Sequence, residues 1–220
     1  MEYKNLIIHW LGHAGFKIKF REKIIFVDPF QLADNTEENK TEKADIIFIT
    51  HSHYDHCSIE DIKKIIKPET IVVCTSDVQS KLGKVASHVN SLIVEPGKKY
   101  NIEEISFETI PAYNINKNFH PHDNYWVGYV INLDGTKIYH IGDSDIIPEM
   151  KNVKTDVALF PIGGTYTMNA EEAMKAAVAI KPLLAIPMHW GSIVGTKEDA
   201  EKFVQGCREK GITADILEKE

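Results

Sequence analysis

The six residues His51-Ser52-His53-Tyr54-Asp55-His56 place four potential metal ligands directly after the unbroken apolar run Ile46-Ile47-Phe48-Ile49. An apolar run without alternation reads as a strand buried on both faces. Whatever this chain folds into must therefore deliver three imidazoles and a carboxylate to the mouth of a buried strand. Packing does not account for such a cluster. A lone histidine is ordinarily a satisfied core or surface residue, but four potential ligands together, with no basic or apolar pattern around them, point to a bound ion. Imidazole nitrogens suit borderline metals such as zinc, and a carboxylate adds charge and a harder oxygen. His51 and His53, two apart on an extended segment, face one way; Asp55 and His56, after a turn, reach a neighbouring ion.

The rest of the chain supplies strands whose ends carry further polar groups. Short β-rich runs occupy 6–11, 15–20, Lys23–Val27 and 44–50, separated by Gly12, Asp28-Pro29 and a polar loop at 34–43. Ser58-Ile59-Glu60-Asp61 matches a capping box, so a helix is expected over 58–67, ended by Pro68. Strands follow at 70–74, 91–94 and 105–110, then a polar loop at 111–125 with Asn114, His120 and His122. Further strands are expected at 126–132, 137–141 and 157–160, with Asp134-Gly135 as a hairpin turn. Helices are expected at 169–180, opened by Asn169 with Glu172 three residues later, and at 197–210, with a strand at 183–187 between them. Asp143 in Gly142-Asp143-Ser144-Asp145 and His189 in Pro187-Met188-His189-Trp190-Gly191 each follow a strand. Singly these are ordinary turn residues; their shared placement at strand ends makes them candidate ligands.

At 220 residues the economical expectation is a single domain over 1–220, built from two similar halves, about 1–110 and 111–220. A formal charge of -7 argues against general affinity for nucleic acid or anionic membrane. Three cysteines, Cys57, Cys74 and Cys207, at unrelated spacings do not form a disulfide framework, and no run approaches the roughly 20 apolar residues of a membrane span. A cytoplasmic protein with a small-molecule substrate is expected; oligomeric state is not legible. Cys57 reads as structural.

Thr50-His51-Ser52-His53-Tyr54-Asp55-His56 resembles the HxHxDH signature of the metallo-β-lactamase fold superfamily, and Asp28-Pro29, Gly142-Asp143 and Pro187-Met188-His189 resemble its other motifs in order. The opening Trp10-Leu11-Gly12-His13-Ala14-Gly15 and the segment 161–168 further resemble the branch of ascorbate-6-phosphate lactonase and related metal-dependent hydrolases. The resemblance implies an α/β (α+β) fold, a four-layer αββα sandwich. It also implies His51 and His53 on one ion, Asp55, His56 and His189 on another, and Asp143 as the bridge. Asp28 would accept a ligand histidine's free N–H and fix its tautomer. His13, in its Gly-rich turn, would line the site. Where the family has a third histidine directly after a strand, this chain reads Pro111-Ala112-Tyr113-Asn114; His120 is expected to fill that role, with His122 as the rival.

Such a site, holding one or two Zn2+ ions with Mn2+ as the alternative, would activate a water at neutral pH without a serine or cysteine nucleophile. Asp55 would ligate, orient the water or take its proton. The expected reaction is hydrolysis of a small-molecule lactone, ester or phosphodiester. The turn Gly163-Gly164-Thr165 either holds an anionic group of the substrate on backbone amides or is an ordinary strand-to-helix loop; Asn114 and His122 are further candidate substrate contacts. Two alternatives stand beside the hydrolase: a di-iron oxidoreductase of the same fold, disfavoured because His53 stands where that branch has a glutamate, and a non-catalytic metal- or ligand-binding protein.

Overall fold

The computed structural model describes residues 1–34, 41–86 and 88–220, so most of the polar loop expected at 34–43 lies outside the described residues. The chain divides into two compact units, one of residues 1–94 with 218–220 and one of residues 95–217.

The first unit is built on a seven-stranded sheet in chain order. Strands β1 (Glu2–Tyr3), β2 (Leu6–Gly12), β3 (Gly15–Phe20) and β4 (Lys23–Val27) form an antiparallel meander. Strands β5 (Ile46–Phe48), β6 (Ile71–Cys74) and β7 (Asn90–Ile93) then add in parallel. Parallel neighbours need crossovers, and helices α1 (Ile59–Ile65) and α2 (Ser76–Leu82) supply those from β5 to β6 and from β6 to β7. Ile62 and Ile65 of α1 and Val78 and Leu82 of α2 join Phe26, Ile47, Ile49 and Val72 in one buried cluster. Ser58 caps α1 as expected, accepting from the Asp61 amide. The Asp61 carboxylate accepts the Ser58 hydroxyl at 2.6 Å and the amides of Gln31 and Leu32 at 2.9 and 3.0 Å. That acid is therefore spent on fixing the chain beyond β4.

The second unit carries a six-stranded sheet in the order β13-β12-β11-β10-β9-β8. Its strands β8 (Lys99–Ile102), β9 (Ile105–Pro111), β10 (Val127–Leu133) and β11 (Thr136–His140) are antiparallel. β12 (Val157–Pro161) and β13 (Leu184–Met188) add in parallel. Asp134 and Gly135, at φ 53 and 84, form the two-residue turn of the β10–β11 hairpin. Helix α3 (Ala170–Ile180) has the full capping box of Asn169 and Glu172, and α4 (Lys197–Glu209) has one of Thr196 and Asp199. Phe203 of α4 meets Phe160 of β12, ring centroids 5.4 Å apart.

Mixed sheets flanked by helices are the elements of the expected α+β class, the αββα metallo-β-lactamase fold. Among the described residues no helix is long and apolar enough to cross a membrane.

Candidate metal centre

In the first unit the polar cluster lies past the carboxyl ends of β4 and β5. Open sheets with parallel strands present their ligand-binding loops at these ends. Asp28 follows β4 in a left-handed turn, φ 44, and is fully buried. Its carboxylate is satisfied by the Thr50 amide at 2.8 Å, the Thr50 hydroxyl at 2.6 Å and His56 Nδ1 at 2.7 Å. A carboxylate with no exposed surface needs such donors to replace the water it has lost.

These bonds fix two tautomers. A carboxylate only accepts, so His56 Nδ1 carries the proton. The single proton of the Thr50 hydroxyl goes to Asp28, so the contact of 2.9 Å between Thr50 Oγ1 and His51 Nδ1 has the imidazole as donor. In the neutral imidazole each ring then keeps Nε2 as a lone-pair nitrogen. His51 Nε2 lies 3.1 Å from His53 Nδ1, and the His51 and His56 rings are 4.1 Å apart. A tight turn, in which the His56 and Cys57 amides both donate to the His53 carbonyl, brings Asp55 and His56 round. Asp55 Oδ2 lies 2.9 Å from His13 Nε2 and 3.8 Å from His56 Nε2. His13, Asp55 and His56 offer ligand atoms within 4.8 Å of one another, which puts His13 among the possible ligands as well as among the lining residues. Thr50, which links Asp28 to His51, was not among the expected site residues; its position immediately before the first histidine was the available signal.

In the second unit the ends of β9, β11, β12 and β13 carry the polar groups. The Asp143 carboxylate follows β11, and its Oδ2 lies 3.1 Å from both His120 Nε2 and His189 Nε2. All three residues are buried. His189 sits just past β13 at φ 61. The His120 ring also meets Trp126 at 5.5 Å. His122 is exposed, its ring edge-on to Tyr113 at 4.7 Å. Asn114 is buried, with its amide against His120 and the Tyr166 carbonyl.

Two amides of the Gly163-Gly164-Thr165 turn are bonded within the loop. Gly164 donates to the Met168 carbonyl and Thr165 to the Gly163 carbonyl, each at 2.9 Å. Gly163 has a steric role too, since a Cβ there would meet His189 Nδ1 at 2.9 Å and the His189 carbonyl at 2.8 Å. Cys57 and Cys74 are buried in the apolar cluster. Burial pushes the Cys57 thiol up to about 11, with Lys81 opposing and Asp28 and Asp77 adding to it, so it stays protonated at neutral pH. All three cysteines are free.

Imidazole nitrogens and carboxylate oxygens gathered in buried positions are the donor set of zinc, manganese and related divalent ions, and the residues present fit such an ion. Comparison with known proteins agrees. Residues 7–189 match the model of the β-lactamase superfamily domain. A UPF0173 metal-dependent hydrolase of Thermoplasma acidophilum is 36% identical over 91% of this chain and 90% of its own. A solved structure from Parabacteroides distasonis has a TM-score of 0.85 at 31% identity, covering 98% of this chain and 94% of that one. A diiron β-hydroxylase from Streptomyces venezuelae, at 16% identity, TM-score 0.73, and coverage of 98% of this chain and 53% of that one, shares the fold alone. The relatives carry the metal-dependent hydrolase part of the resemblance seen in the sequence, and not the lactonase named with it. The chain belongs to the β-lactamase superfamily and, within it, to the UPF0173 metal-dependent hydrolases.

Proposed function

We propose that the chain hydrolyses a small-molecule lactone, ester or phosphodiester with one or two zinc or manganese ions. His51, His53 and His120 would serve one ion, Asp55, His56 and His189 the other, and Asp143 would be shared. The observation that carries this reading is the buried Asp143 Oδ2 held 3.1 Å from two imidazole Nε2 atoms, the arrangement of a carboxylate that shares cations with its histidines. The pinned tautomers of His51 and His56 support it, because each leaves the nitrogen opposite its hydrogen bond as the donor to a metal.

When bound, such ions polarise a carbonyl or phosphoryl oxygen and bring a water's pKa to about 7. The chain's own part is to hold and move protons. Asp55 Oδ2 accepts from His13 Nε2 when that nitrogen is protonated, so the pair can orient a water or pass its proton toward a leaving group. Asp28 and Thr50 keep His51 and His56 from rotating or changing tautomer during turnover. The buried, free cysteines and the net charge of -7 support a cytoplasmic setting and a small-molecule substrate over a nucleic acid.

The test is a panel of lactones, carboxylic esters and phosphodiesters offered to protein loaded with zinc, manganese or iron, each with and without chelator. Hydrolysis of one class that chelation abolishes and zinc or manganese restores is expected. Hydrolysis indifferent to chelator, or oxygen consumption by an iron form with visible absorbance and no hydrolysis, would overturn the reading.

A further inference from the structure

The loop between β9 and β10 folds back on itself through an unusually complete set of bonds at Asn114. The Asn114 amide N–H donates to the His120 carbonyl at 2.8 Å, and the His120 amide N–H donates to Asn114 Oδ1 at 3.0 Å. The same Oδ1 lies 3.1 Å from His120 Nδ1, and Asn114 Nδ2 donates to the Tyr166 carbonyl at 3.0 Å. The orientation of this side-chain amide is forced. Turning it over would set an NH2 group against the His120 N–H and a carbonyl oxygen against the Tyr166 carbonyl, two mismatches in a buried place.

With Oδ1 so fixed, the contact to His120 Nδ1 has one possible sense. A carbonyl oxygen cannot donate, so Nδ1 carries the proton, and in the neutral ring Nε2 presents its lone pair. That nitrogen faces Asp143 Oδ2 at 3.1 Å, and two acceptors at this distance repel unless a second ring proton or a metal cation lies with them. The loop is also held from the Asp143 side. Asp145 Oδ2 accepts the Ile115 amide at 2.9 Å, Asp145 Oδ1 pairs with Lys117 Nζ at 2.6 Å, and the Asp145 amide donates to the Tyr113 carbonyl at 2.9 Å.

We propose that Asn114 is the positioning residue of His120, its amide oxygen holding the ring as the Nδ1–H tautomer and so turning Nε2 toward Asp143 as a metal donor. The proposal rests on the metal-dependent reading above, and it gives Asn114 a role through His120 in place of a substrate contact. Second-sphere partners of ligand histidines change metal affinity by about 10–100-fold when removed. Asn114→Leu keeps the size and removes the acceptor. Asn114→Asp keeps the acceptor for His120 while replacing the donor to the Tyr166 carbonyl with a charged oxygen.

The experiment measures the His120 tautomer by nitrogen-resolved NMR in metal-free protein, and zinc affinity by competition with a chromogenic chelator, in the wild type and both variants. The Nδ1–H tautomer is expected in the wild type and in Asn114→Asp and not in Asn114→Leu. Zinc affinity is expected to fall about 10–100-fold in Asn114→Leu and to stay much closer to wild type in Asn114→Asp. An Nε2–H tautomer in the wild type, or wild-type tautomer and affinity in Asn114→Leu, overturns the proposal. Should Asn114→Leu not fold, the wild-type tautomer decides it: Nδ1–H supports the proposal and Nε2–H overturns it. Absence of zinc binding by a wild type that shows Nδ1–H overturns the metal reading instead, so the two failures are told apart.

Discussion

Replacing Thr50 by valine removes one hydroxyl and leaves the shape of the side chain, which isolates the relay from Asp28 to His51. The hydroxyl donates to Asp28 Oδ2 at 2.6 Å and accepts from His51 Nδ1 at 2.9 Å, and Thr50 is fully buried. The first is a charge-assisted bond of about 1.5–3 kcal/mol and the second an ordinary one of about 0.5–1.5 kcal/mol. No cavity opens, so the expected loss of stability is their sum, about 2–4.5 kcal/mol, which a domain of ordinary stability survives folded. Asp28 keeps the Thr50 amide and His56, so His56 should hold its tautomer while His51 loses its own. Zinc affinity should fall about 10–100-fold, or about 1.4–2.7 kcal/mol. Denaturant unfolding of metal-free protein reads the first quantity and chelator competition the second. Thr50→Ser, which keeps the hydroxyl, should restore both. A Thr50→Val protein with the wild-type unfolding midpoint and zinc affinity would refute the relay.

Gly163→Ala should displace His189, because the new methyl would meet the His189 carbonyl at 2.8 Å and Val194 Cγ2 at 2.6 Å; a destabilisation of about 1–3 kcal/mol with weakened metal binding is expected in unfolding and titration experiments. Asp55→Asn should lower turnover by several orders of magnitude even where metal remains, since it removes the carboxylate that faces His13 and His56; near-normal turnover would take Asp55 out of the mechanism. Burial raises the Asp45 pKa, but the Lys67 and Ile24 hydrogen bonds and the Lys67 charge outweigh it and hold the group below its ordinary 3.8. Its stabilisation is therefore full above that value and lost as pH falls through the lower folded value. Asp45→Asn should accordingly destabilise the protein at neutral pH, with the difference from wild type closing in acid unfolding experiments.

Much of the fold was legible because the relevant signals are local. An unbroken apolar run marked β5, Asp134-Gly135 marked a hairpin, and the Asn169 and Glu172 pair marked the start of α3. Helix α2 was passed over because its two turns carry only Val78 and Leu82 on the buried side, too few to set a period. Strand β8, Lys-Tyr-Asn-Ile at a sheet edge, is fixed by the backbone of β9 and by little in its own side chains. At the candidate site, residue types and strand-end placement were readable for the 51–56 run, Asp28, Asp143 and His189. The hydrogen-bond relays were not. Whether Thr50 faces His51, or Asn114 faces His120, depends on how a turn closes, and no spacing rule encodes that.

The most direct test of the account is the metal content of the purified protein, measured alongside that of His53→Ala, His120→Ala and His189→Ala. The account predicts zinc or manganese bound to the wild type, reduced metal in all three variants with most of the fold intact by circular dichroism, and loss of hydrolysis in step with loss of metal. Wild-type metal stoichiometry in all three variants, or a wild-type protein that hydrolyses its substrate after complete removal of metal, would contradict it.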